Sequence, residues 1–192
     1  NRTMKTKLLI LLFLHASLLT PMTGWAGPRG QIVAIDNTVF VAMVDTSIED
    51  CICIQENENW CWATCIQMIL RYNGQYVSQS DIAAQVFGDN LNRTASGNQI
   101  ESVFNGWRGY SVHSYQSKKS RYFIDEISSG HPLIIGIGEH AYLLTHIYYK
   151  KTSHGLLHPF KVILINPSLG KEEVVDWKDM YSKANTIVSF YR

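Results

Sequence analysis

Gln55-Glu56-Asn57-Glu58-Asn59-Trp60-Cys61-Trp62-Ala63-Thr64-Cys65 is the stretch on which the reading of this chain turns. Asn59 is a good helix N-cap, and Ala63, Ile66, Ile69 and Leu70 recur at helical spacing until Asn73-Gly74 stops the run. A helix opening at Asn59 or Trp60 holds the Cys61 sulfur in its first turn. Free backbone N–H groups and the positive end of the helix dipole favour thiolate there, so the sequence predicts a lowered thiol pKa. A cysteine that attacks carbonyls also needs an imidazole, as ion-pair partner and proton donor, and a hydrogen-bond donor for the oxyanion. Gln55, six residues upstream in the loop running into the helix, is the candidate oxyanion donor.

Working outward, Ser78-Gln79-Ser80-Asp81 starts a second helix that ends near Gly88. Asn98-Gln99-Ile100-Glu101 has capping-box spacing, and Ile100, Val103, Phe104 and Trp107 follow as one apolar face. Residues 120–129 read as a fourth helix. Beyond them β-forming residues take over, and 132–137, 141–149, 160–165, 173–177 and 186–191 read as strands. Near the N-terminus, 31–35 and 38–44 flank the turn signal Asp36-Asn37 and read as a hairpin, with a short pro-segment as the alternative. Helices before strands argue for an α+β domain, a helical half packed on a C-terminal antiparallel sheet.

The 192 residues are 46% hydrophobic and 17% charged, which describes a globular chain rather than a disordered one. A net charge of +1 gives no electrostatic footprint for nucleic acid, and Lys118, Lys119 and Arg121 read as a solvated loop. Met4-Lys5-Thr6-Lys7, the apolar run from Leu8 to Leu19 and the small residues around Trp25-Ala26-Gly27 follow the order of a secretory signal peptide. The apolar run is short for a membrane span. The expected organisation is a signal peptide over 1–26, the hairpin or pro-segment over 27–50, and one domain over 51–192. A periplasmic or secreted product follows, with no stable membrane association after cleavage. Loss of Arg2, Lys5 and Lys7 would leave 14 Lys and Arg against 16 Asp and Glu.

Cys51, Cys53, Cys61 and Cys65 lie within fifteen residues. Export would expose them to oxidation, so a disulfide is one expectation. If Cys61 stays free, one of the other three has no partner. Whether Cys65 pairs with Cys51 or Cys53, or is simply buried, the sequence leaves open. Four thiols at this spacing also allow a structural zinc module as a competing reading.

A Gln six positions before a Cys-Trp that opens a helix resembles the papain-like cysteine peptidases. The Asn-Trp-Cys-Trp-Ala-x-Cys form looks most like the compact bacterial members, including the staphopain and avirulence-effector branches. The resemblance covers residues 50–192 and implies a papain-like fold with no cofactor, acting as a monomer on a protein or peptide substrate. It implies a histidine in the block Gly138-Glu139-His140-Ala141-Tyr142, after the strand start Gly130-His131-Pro132, which makes His140 the base ahead of His146. It implies an orienting residue on the following strand, and Asn166 of Asn166-Pro167 fits. The implied site is therefore Cys61, His140 and Asn166, with Gln55 in the oxyanion hole. An amidase or a transglutaminase-like acyl transferase would use the same residues. Trp60 and Trp62 read as packing residues, and 88–97 and 150–159 as loops that border a groove.

Overall fold

In the computed structural model, which describes residues 30–192, the helix that starts at Cys61 is buried on nearly every side. The expected signal peptide lies outside the described residues. Helix α1 (Cys61–Tyr72) buries every residue from Cys61 to Leu70 and also Tyr72. A helix enclosed in this way carries apolar residues all round its axis, and its polar members need internal partners. Thr64 and Gln67 are those members, and both are hydrogen-bonded. Asn59 is not the N-cap. Trp60 takes that position without a side-chain bond, because the Asn59 side chain is held by Asn92.

Helix α2 (Gln79–Phe87) is capped by Ser78 and closed by Gly88 at φ 78, a left-handed position that favours glycine. Helix α3 (Gly97–Phe104) begins earlier than the expected Asn98 box. Ser96 and Gln99 make a reciprocal capping box, and Trp107 falls beyond the helix in a 3-10 turn. Helix α4 (Ser120–Ser128) matches expectation, and Arg121 pairs with Asp125 along it rather than lying in a loop. A short α5 (Trp177–Lys183), capped by Asp176, was not anticipated.

Among the described residues, eight strands form one curled antiparallel sheet: β1 (Gln31–Ala34), β2 (Val39–Met43), β3 (Ser111–Tyr115), β4 (Leu133–Ile137), β5 (His140–Lys151), β6 (Leu157–Asn166), β7 (Lys171–Asp176) and β8 (Ala184–Tyr191). β5 is the spine. β4 pairs with residues 140–144 and β2 with 146–150 along one edge, while β6 runs along 143–151 on the other. β8 continues the sheet from β4 to β3, and β7 extends it beyond β6. The sheet therefore recruits β1, β2 and β3 from outside the C-terminal half. The result is an α+β, papain-like architecture in which α1 packs against β5 and β4. The start of the helix then meets the start of the spine strand.

Candidate active site

Cys61 is the first residue of α1, where no intrahelical carbonyl can accept its N–H. Its sulfur accepts a hydrogen bond from the backbone N–H of Ala141 at 3.3 Å, which joins the helix start to the first turn of β5. His140, the residue before that amide, is half-buried. Its Nε2 lies 3.1 Å from Asn166 Oδ1, at the end of β6. Asn166 is 8% exposed, and its amide is fixed at both ends. Nδ2 donates to Glu173 Oε1 at 3.2 Å, and Oδ1 accepts the Ser168 N–H at 3.0 Å. Oδ1 is thus an acceptor toward His140, so Nε2 carries the proton and Nδ1 of the neutral ring keeps its lone pair. The Tyr142 ring stands edge-on to His140, with centroids 4.6 Å apart.

The thiol departs from expectation. Burial pushes Cys61 up from the ordinary thiol value, and the N–H groups of Ala141, Trp62 and Cys61 oppose that only in part. Helix-start stabilisation exists but loses to desolvation, because the sulfur is enclosed rather than facing water. The resting residue is a neutral thiol.

Gln55 is close in sequence but turned elsewhere. Its Nε2 donates to the carbonyls of Asn57 at 3.0 Å and Glu58 at 2.7 Å, which uses both amide protons. Its Oε1 accepts the Ser168 hydroxyl at 2.9 Å, and its own N–H bonds Pro167 O at 2.9 Å. Gln55 therefore stitches the loop before α1 to the turn that carries Asn166, and no side of the cleft is lined by it.

Gln79, which the sequence marks only as part of a helix start, has a structural role beside the site. It is 1% exposed, and its side chain grips the backbone on both flanks of Gln55. Nε2 donates to Ile54 O at 2.9 Å and to Gln67 Oε1 at 3.1 Å. Oε1 accepts from Glu56 N–H and Thr64 Oγ1, each at 2.9 Å. The two tryptophans do more than pack. Trp60 Nε1 donates to Leu91 O and Trp62 Nε1 to Arg93 O, both at 3.0 Å, while Asn59 holds Asn92. Three residues at the helix start thus pin the loop that follows α2.

That loop forms one wall of a cleft of about 570 Å³ that contains both Cys61 and His140. Trp62, Ile100, Ile134 and Val188 give it apolar surface, and Thr94, Ser96, Asn185 and Thr186 give it polar surface. The expected border 88–97 is there through residues 94–97, whereas none of residues 150–159 lines the cleft, and 150–151 and 157–159 belong to strands. His146 takes no part in the cleft. It is buried, bonded to Thr145, and held below the ordinary histidine value by that burial.

All four cysteines are free. Cys53 donates to Gln67 Oε1 at 3.2 Å, Cys51 to Ser47 O at 3.4 Å, and Cys65 is fully buried. Among the described residues no group of three or more His, Cys, Asp or Glu side chains could hold a metal ion, so the zinc module has no site there. Among those residues, too, no helix is long and apolar enough to cross a membrane.

A helix start that carries a cysteine, packed on an antiparallel sheet that carries a histidine and an asparagine, places the fold with the papain-like peptidases. The model of the family described as Peptidase_C39 like family matches residues 49–167, well over half of the chain, and the chain belongs to this cysteine-peptidase family. The match begins in the 3-10 turn before the Gln55 loop and ends at Pro167, next to Asn166. No curated protein matches the chain.

Proposed function

We propose that this chain is a secreted papain-like cysteine peptidase that hydrolyses peptide or isopeptide bonds through Cys61, His140 and Asn166. The observation that carries the reading is the hydrogen bond from His140 Nε2 to an Asn166 amide whose orientation is fixed from both sides. It leaves Nδ1 as the basic nitrogen, on a residue whose neighbour already bonds the Cys61 sulfur. The Asn-Trp-Cys-Trp-Ala form supports a compact bacterial branch. Residues 1–26 would direct export and 51–192 would form the peptidase domain, with the 31–43 hairpin added to its sheet through β2.

In the first step Nδ1 of His140 takes the thiol proton as sulfur attacks the scissile carbonyl. Because burial holds the thiol up, that transfer accompanies attack instead of preceding it. The Cys61 N–H, which has no intrahelical acceptor and lies against its own sulfur, donates to the developing oxyanion as the sulfur attacks. Gln55 is the second donor, after its amide turns away from the Asn57 and Glu58 carbonyls. The C–N bond breaks as the imidazolium returns the proton to the departing amine. Water, deprotonated by His140, then cleaves the thioester and frees the thiol.

The test is cleavage of a peptide pool by the purified chain. Cys61→Ala and His140→Ala should each abolish turnover, and Gln55→Ala should lower kcat about 10²-fold with KM little changed. Turnover at the wild-type rate in Cys61→Ala would end the proposal.

A further inference from the structure

The cleft beside Cys61 has a charge and an acceptor that nothing in the proposed chemistry uses. Glu139 sits in the tight turn between β4 and β5, after Gly138 at φ 62 and directly before His140. It lines the cleft, is exposed, and has no hydrogen bond or ion pair among the described residues. Among the described residues, no Lys or Arg side chain lines the cleft to neutralise it.

Asn185 faces the same space because of a break in strand register. Gly136 pairs with Thr186 and Ile137 with Ala184, so Asn185 is the extra residue of a bulge between β4 and β8. Bulges next to active sites re-aim a side chain that regular pairing would send elsewhere. Asn185 Nδ2 donates to Gly138 O at 3.0 Å, in the turn that carries Glu139. That bond fixes the amide with Oδ1 turned toward Gly136, where a Cβ would stand only 2.8 Å from it. Glycine at 136 gives the oxygen the room it occupies, and Oδ1 has no donor among the described residues. A free carboxylate and an oriented amide oxygen, tied to one turn, make an acceptor pair with no cation of its own.

We propose that Glu139 and Asn185 form a subsite for a cationic substrate side chain, the ammonium of Lys or the guanidinium of Arg, close to the scissile bond. The inference rests on the peptidase reading above and adds a substrate class to it. An exposed carboxylate gives a modest preference, about three- to fivefold in kcat/KM, and the amide oxygen adds direction.

The experiment uses three sets of peptides that differ at one position within three residues of the bond cut, where Lys, Gln or Glu is placed. The wild-type chain should cleave the Lys peptides about three- to fivefold better than the Gln peptides, and Glu peptides worst. Glu139→Gln should bring the Lys-to-Gln ratio to about one, and Glu139→Lys should reverse the Lys-to-Glu order. Gly136→Ala, which displaces the Asn185 amide, should also reduce the ratio. Raising salt from 50 to 500 mM should shrink the wild-type preference, because screening acts on an exposed pair. Cys61-dependent cleavage with no charge preference, or with one that Glu139→Gln leaves intact, overturns the subsite and spares the peptidase reading. No cleavage of any set by the wild-type chain overturns both.

Discussion

Replacing Gln79 by Leu should unfasten the Gln55 loop without touching the cleft. The substitution keeps the side-chain volume roughly constant but deletes four hydrogen bonds. Two of the partners keep other bonds: Thr64 Oγ1, whose single proton is shared between Gln79 Oε1 and Trp60 O, turns it to Trp60 O, and Gln67 Oε1 still accepts from Cys53. The Glu56 N–H and the Ile54 carbonyl lose their only partner among the described residues. An orphaned part-buried group costs about 1–3 kcal/mol. Both lie in a loop whose side chains face solvent, which allows some relaxation, so the total should be about 2–4 kcal/mol. For a chain of this size that is a fall in Tm of roughly 5–15 °C by differential scanning calorimetry. Gln79→Glu separates hydrogen bonding from shape. Its buried carboxyl has a folded pKa above the unfolded value, so the folded state holds more protons. Its stability is therefore greatest at low pH and is lost as pH rises through the folded pKa. Because Gln79 acts through the Gln55 loop, kcat should fall by no more than in Gln55→Ala, with KM little changed. A Gln79→Leu chain with wild-type Tm and wild-type kcat/KM would refute the reasoning.

Other perturbations follow from single contacts. Asn166→Asp keeps an acceptor for His140 but sets a second carboxylate about where Asn166 Nδ2 now meets Glu173, so activity should fall severalfold and Glu173→Gln should restore much of it in steady-state assays. Iodoacetamide should alkylate Cys61 in the free chain at a rate that climbs about tenfold per pH unit from 7 to 9, because burial keeps it a thiol; a plateau below pH 7 would reveal a resting thiolate. His146 is held below its ordinary 6.5, so the unfolded chain takes up a proton that the folded chain refuses. Stability should accordingly decline as pH falls below about 6.5, and His146→Gln should flatten that slope in denaturant titrations followed by fluorescence.

How far the sequence could be read depended on whether the signal was local. α2 was legible because its cap at Ser78 and its stop at Gly88 are both neighbours of the helix. β5 and β6 were legible as runs of β-formers, and the histidine block and Asn166-Pro167 could be located by resemblance. β3 was missed because Ser111–Tyr115 is short and polar, and its strand character comes from pairing with β8. α5 was missed because seven residues that bury only Trp177 and Met180 leave too little periodicity. Asn59 is not the cap because Asn92, thirty-three residues away, accepts from both its side-chain amide and its backbone N–H. The thiol pKa was misjudged for the same kind of reason: helix position is written in the sequence, whereas burial is set by the sheet that closes over it. Gln79 looked like one polar residue in a helix start, and only the fold brings it to both flanks of Gln55.

The most direct measurement is site-resolved mass spectrometry after brief treatment with a peptidyl epoxide, whose ring opening needs both a sulfur nucleophile and a proton donor. Labelling should occur at Cys61 and not at Cys51, Cys53 or Cys65, should be lost in His140→Ala, and should fall in Asn166→Ala in step with kcat/KM. Equal labelling of the four thiols, or a Cys61 adduct that forms as fast without the imidazole, would contradict the assignment of Cys61 and His140 as nucleophile and acid.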